Sequence, residues 1–125
     1  MKWVLIDTPV WIDHLREPNP QIRALALDDR ILGHPFIVAE LAMGSLKDRH
    51  ETLERFDKMI MVRDVDISEV RMLVENEGLF NSGIGVVDAT LLASCLVQRS
   101  TYLWTRDRRL NTVAERFGIA YQPLH

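Results

Sequence analysis

The sequence predicts an α/β fold, a three-layer α/β/α sandwich around a central parallel sheet of four to five strands, and three observations carry that expectation. Short apolar runs alternate with segments of helical periodicity along the whole chain. The runs are continuously apolar rather than alternating, as in strands buried on both faces. The breaks between them fall at proline, asparagine and glycine positions suited to starting and stopping helices. Such alternation is the signature of parallel strands joined by right-handed crossover helices.

Trp3-Val4-Leu5-Ile6 is the first strand, closed by Asp7, and Thr8-Pro9 puts a proline in the first turn of the helix that follows. Pro18-Asn19-Pro20 breaks the chain, with Asn19 as the cap of a helix carrying Ile22, Leu25 and Ala26. Pro35-Phe36-Ile37-Val38 reads as a second buried strand leading into a helix from Ala39 to Gly44. Leu53, Phe56 and Ile60 are spaced for another helix, after which Met61-Val62-Arg63 is a less continuous strand run. Asp66 with Glu69 three residues on has the form of a capping box, opening a helix through Ile67, Val70, Leu73 and Val74 that Gly78 ends. Past the turn Asn81 to Gly85, apolar spacing predicts a helix from Val86 to Gln98 and then a strand, Tyr102-Leu103-Trp104. Leu110, Val113, Ala114 and Phe117 share one face of the last helix, which stops at Gly118, and Ile119 to Tyr121 follow as an edge-strand candidate.

The chain has 125 residues, 47% hydrophobic and 26% charged, with no repeat or low-complexity tract, which is read as one domain spanning residues 1–125. A chain of this size buries roughly two-thirds of its unfolded surface, so any metal belongs to chemistry rather than to folding. The single cysteine, Cys95, excludes an intramolecular disulfide and fits a reducing compartment. The first apolar run is too short for a secretion signal and no run approaches the ~20 apolar residues of a membrane span, so a cytoplasmic location is expected. Fifteen Lys and Arg against eighteen Asp and Glu give a net charge of -3, which disfavours coating a polyanion by bulk charge.

In parallel sheets, ligands bind outside the carboxyl ends of the strands. Asp7 closes the first strand, Glu40 comes two residues after Val38, and Asp107 follows Trp104 by three. Asp88 reaches the same rim because a helix leading into a parallel strand begins at the carboxyl edge. It also lies on the apolar stripe of its helix with Leu91, Leu92, Cys95 and Leu96. Taken singly, Asp107 suits a helix cap, Asp7 a turn, and Asp88 the helix dipole. Their common rim is what those readings do not anticipate. Four like charges there raise one another's affinity for protons unless a cation neutralises them. Oxygen ligands alone point to Mg²⁺ or Mn²⁺, since His14, His34, His50 and His125 are scattered without ligand spacing. An ion so held, keeping several waters, suits hydrolysis of a phosphodiester or phosphomonoester.

At these residues the chain resembles the PIN-domain ribonucleases, and within them the VapC-type toxins of toxin–antitoxin pairs. The resemblance runs from Asp7 to about Gly118. It rests on Leu5-Ile6-Asp7-Thr8 with Trp11-Ile12, on Val38-Ala39-Glu40-Leu41 with Gly44, on Gly83 to Ala89 with Leu92-Ala93, and on Trp104 to Leu110. It implies that Asp7, Glu40, Asp88 and Asp107 hold Mg²⁺ or Mn²⁺ and that the Thr105 hydroxyl supports the site. It further implies an endoribonuclease, a homodimer, and a VapB-like antitoxin whose tail plugs the site. Two positions depart from the pattern. Pro9 stands where a small polar residue often follows the Asp-Thr pair, and Arg109 where some PIN nucleases carry another acid. Four acids are therefore available, for one metal or two.

Arg106, Arg108 and Arg109 flank Asp107 with guanidinium groups suited to phosphate, although Arg108 and Arg109 equally suit a solvated helix start. Lys47 and Arg49 follow the Glu40 helix and extend a candidate RNA track. So few cationic anchors predict a short RNA contact with a shallow salt dependence. Trp11 fits packing better than lining the cleft, and Cys95 reads as a small core residue. A haloacid-dehalogenase-like phosphatase also ends its first strand in aspartate, but Pro9 occupies the place of its second acid. A receiver domain lacks support in paired early acids. A non-catalytic module of the same shape, binding RNA or an antitoxin, is opposed by the intact acidic set.

Overall fold

The computed structural model describes residues 1–123; His125 lies outside the described residues. Its elements, in chain order, are β1 (Trp3–Ile6), α1 (Thr8–Arg16), α2 (Pro20–Leu27), β2 (Ile31–Leu32), α3 (Pro35–Ala42), α4 (Arg49–Asp57), α5 (Ile67–Asn76), α6 (Val86–Val97), β3 (Thr101–Trp104) and α7 (Arg108–Arg116). The three strands form a parallel sheet in the order β2-β1-β3, with Leu5 opposite both Leu32 and Leu103. Val4, Leu5 and Ile6 are all 0% exposed. Successive strand residues face opposite sides, so the central strand is covered on both faces, which is why its run reads as continuously apolar. No helix among the described residues is long and apolar enough to cross a membrane.

The α/β class and the parallel sheet stand as expected, and the strand count is smaller. Pro35 to Val38 is not a strand but the first turn of α3. The His34 Nδ1 atom accepts from the Phe36 amide at 2.9 Å and Pro35 occupies the first helical turn. A four-residue apolar run has no periodicity of its own; here a cap and a proline set it as helix, burying Ile37 and Leu41 one turn apart. The true second strand, Ile31–Leu32, is only two residues long and leaves no pattern to read. Met61 and Ala120 pair with the sheet through isolated parallel bridges, to Gly33 and Leu103. The segments expected as outer strands therefore lie at the two edges, but as single bridges.

The helix ends follow local chemistry. Asp7 caps α1 and Asn19 caps α2, accepting from the Gln21 and Ile22 amides. Asp66 precedes α5 without a side-chain cap bond, so the capping box is not formed there. α4 ends at Asp57, leaving Ile60 exposed beyond it. Leu110, Val113 and Ala114 form the buried face of α7, and Gly118, at φ +72°, turns the chain back toward β3. Trp11, 7% exposed, meets Phe56 edge-on with ring centroids 4.9 Å apart, so it belongs to the core. Cys95 is buried and its thiol is pushed up to about 12 by burial, as befits an inert packing residue.

Because Leu5 sits at the centre of the sheet with no exposed surface, Leu5→Ala leaves a cavity that its neighbours on β2 and β3 cannot fill. The substitution is expected to cost about 2–5 kcal/mol, read as a lower urea midpoint with an unchanged slope. A loss below ~1 kcal/mol contradicts this packing.

Candidate active site

The carboxyl ends of β1 and β3 and the first turns of three helices converge on one rim. Asp7 follows β1 directly, and its amide donates to the Trp104 carbonyl at 2.9 Å, tying it to the end of β3. Its side chain is almost wholly buried, at 6% exposed, and both oxygens are engaged. Oδ1 accepts from the Thr8 amide at 2.8 Å and Oδ2 from the Thr105 hydroxyl at 2.8 Å. That hydroxyl in turn accepts from the Asp107 amide at 3.0 Å, so Thr105 links two acids. Asp107 caps α7, its Oδ1 accepting from Arg109 and Leu110, which leaves Oδ2 without a hydrogen-bond partner.

Glu40 reaches the rim from within α3 rather than from the end of a strand. The reason it still arrives is Thr8, whose hydroxyl donates to Glu40 Oε1 at 2.5 Å and so joins α1 to α3. Sequence reasoning passed over Thr8 as a site residue. Its signal was its place directly after Asp7, where amide and hydroxyl both face the carboxylates. Asp88 lies in the first turn of α6 and is half-buried, on the inward side as its apolar stripe predicts.

None of the four carboxylates forms an ion pair among the described residues. Burial raises the Asp7 carboxyl above its ordinary range; the Thr105 and Thr8 bonds work against this, and the charges of Glu40 and Asp107 add to it. Burial raises Asp88 as well, reinforced by Asp7, Asp107 and Glu40, with the Gly85 backbone opposing. Asp7 and Asp88 therefore both feel the charges of Glu40 and Asp107. As the side chains stand, no three His, Cys, Asp or Glu residues among those described are close enough together to ligate one ion. In kind the donors fit a hard divalent cation, which is commonly held by one or two carboxylates with waters completing its shell. Thr8 and Thr105 supply the outer hydrogen bonds that orient such ligands.

The basic residues divide by what they touch. Arg106 pairs with Asp13 at 2.6 Å, and Arg49 donates to the Ala42 and Gly44 carbonyls, closing the end of α3. Lys47, Arg108 and Arg109 are exposed. A cavity of about 440 Å³ is lined by Trp11, Phe56, Met59 and their neighbours rather than by the carboxylates.

A parallel sheet whose carboxyl rim carries uncompensated acids is the class of site found in PIN domains, and the profile of the PIN domain family matches residues 4–116. The chain belongs to that family, among its VapC-type ribonucleases. It is 38% identical over 117 residues to Ribonuclease VapC32 of Mycobacterium tuberculosis, in strains CDC 1551 and H37Rv, an alignment covering 94% of each chain. By structure it is similar to PAE2754 from Pyrobaculum aerophilum, with a TM-score of 0.59, 15% identity, and coverage of 96% of this chain and 88% of that one. The latter likeness concerns the fold alone.

A carboxyl whose proton affinity is raised by folding stabilises the protein below the ordinary carboxylate range and ceases to do so as pH rises through the raised value. Asp88→Asn removes that penalty. In metal-free buffer the variant is expected to melt a few degrees above the natural protein at pH 7 and level with it near pH 3. A variant that melts lower at pH 7 contradicts the repulsive cluster.

Proposed function

We propose that the chain is an endoribonuclease that hydrolyses RNA phosphodiester bonds at this rim, and that it is the toxin of a VapBC-type toxin–antitoxin pair. The observation that carries the reading is the set Asp7, Glu40, Asp88 and Asp107, gathered from four separated segments and forming no ion pair among the described residues. Structural acids at three helix starts and within a fourth helix have no reason to share one rim. The name of the M. tuberculosis relative, a ribonuclease, supports the same activity.

The four carboxylates are the residues that hold Mg²⁺ or Mn²⁺ in this reading. When bound, such an ion supplies a water acidic enough to attack at neutral pH and a positive charge for a non-bridging phosphate oxygen. The chain's own residues prepare the site. Thr105 and the Thr8 amide keep Asp7 oriented and favour its ionised form against burial. The Thr8 hydroxyl occupies one oxygen of Glu40 and the helix cap one oxygen of Asp107, so each presents its other oxygen. Catalytic duty is thus assigned to Asp7, Glu40, Asp88 and Asp107, with Thr105 as a positioning residue.

Arg108, Arg109 and Lys47 are the free cationic side chains for RNA. Arg106 and Arg49 join them only by leaving Asp13 and the α3 carbonyls. The toxin reading adds three expectations, namely a cytoplasmic location, a homodimer, and an antitoxin that covers the rim.

The purified protein is expected to cut RNA with Mn²⁺ and to stop in EDTA. Asp7→Asn should lower the rate by ~100-fold or more while circular dichroism is unchanged, and Thr105→Val by roughly 10–100-fold. Cleavage by Asp7→Asn at the natural rate overturns the reading. Mn²⁺ at about 100 times its Kd should also add ~2.7 kcal/mol of stability, seen as a higher Tm that Asp7→Asn largely loses.

A further inference from the structure

We propose that Arg109 is the residue that grips the RNA phosphate beside the scissile bond, and that the bare backbone of Gly83 is its seat. The proposal rests on the nuclease reading above and names the group that recruits the substrate. Arg109 lies two residues past Asp107, and its amide donates to Asp107 Oδ1 at 2.9 Å, which fixes its backbone against a rim carboxylate. From there the side chain crosses to the segment that leads into α6 and Asp88. A Cβ placed on Gly83 would lie 2.7 Å from Arg109 Cδ and 3.1 Å from both Nε and Nη1. Gly83 also holds φ at +87°, a conformation that side-chain-bearing residues rarely adopt. Glycine there serves two ends at once, since it forms the turn and admits the guanidinium.

Of the other arginines near the rim, Arg108 is also exposed and unpaired among the described residues, but the three atoms nearest the bare face of Gly83 all belong to Arg109, and the rest are engaged. Arg106 is paired with Asp13, Arg49 with backbone carbonyls and, further off, Arg116 with Glu77. Among the described residues Arg109 makes no ion pair, and its guanidinium donates no hydrogen bond. A rigid fork of five N–H donors is therefore presented, unspent, between the starts of α6 and α7, which carry Asp88 and Asp107. The amides at the start of α7 do not compete for an anion, because Asp107 already accepts from Arg109 and Leu110. RNA approaching four carboxylates meets repulsion. A planar cation set beside them, rather than paired with one of them, offsets that repulsion and binds a phosphate through two parallel bonds.

The test uses 5′-fluorescein-labelled single-stranded RNA in Ca²⁺ buffer, with intact RNA verified on a gel, and anisotropy titrations over a range of salt. Arg109→Gln is expected to weaken binding about tenfold at low salt and to reduce the slope of log K against log salt by about 1, for every RNA sequence tried. Arg106→Gln should change both less. Gly83→Ala, which displaces the Arg109 side chain without removing its charge, should weaken binding in the same direction, with its melting temperature recorded to separate unfolding from displacement. An unchanged affinity and slope for Arg109→Gln overturns the proposal. In that case, continued Mn²⁺-dependent cleavage by the natural chain leaves the nuclease reading standing. If the natural chain neither binds nor cuts RNA, both fall together.

Discussion

Repulsion of other acids by one buried carboxylate is the constraint on which this molecule turns. Placing Asp7 at the end of the central strand, 6% exposed, costs free energy, and siting Glu40, Asp88 and Asp107 within its field costs more. A fold tolerates that arrangement when a ligand removes the cost. Everything around the rim is arranged to keep the acids together: the amide of Asp7 bound to Trp104, the hydroxyl of Thr8 bound to Glu40, and the hydroxyl of Thr105 shared between Asp7 and the backbone of Asp107.

Two threonines thus perform the work of a scaffold at small cost in volume. The Thr105 hydroxyl donates to Asp7 and accepts from the Asp107 amide, and Thr8 donates its amide to Asp7 and its hydroxyl to Glu40, which makes a chain of bonds from one acid to the next across elements distant in sequence. Donors such as these favour the ionised form of a carboxylate and so oppose, without cancelling, the burial that raises Asp7. Bonds of this kind settle which oxygen of Glu40 and of Asp107 is occupied and which is presented.

Much of this was legible in the sequence, for identifiable reasons. β1 is buried on both faces, so its apolar run is continuous, and the acid that ends it is visible. α6 and α7 are long enough to show their period, which placed Asp88 on the inward side and Asp107 before its helix. Other features were not legible. Ile31–Leu32 is too short to carry a pattern, and Pro35 to Val38 looks like a strand unless the cap from His34 is known. Glu40 was assigned to the right rim through the wrong element. What brings it there is a bond from Thr8, thirty-two residues earlier, which no local periodicity reveals. Arg49 and Arg106 looked like RNA contacts because sequence shows charge but not the partner that consumes it.

The family membership gives this arrangement its context, while the physics of the rim gives it a direct measurement. Calorimetric titration of the metal-free protein with Mn²⁺, in two buffers of different ionisation heat, counts the protons displaced on binding. If the acids form one cation-dependent unit, Mn²⁺ binds and releases protons, more of them as the pH is lowered from 7 toward the ordinary carboxylate range. Absence of binding at millimolar Mn²⁺, or binding with no proton release at any of these pH values, contradicts the account.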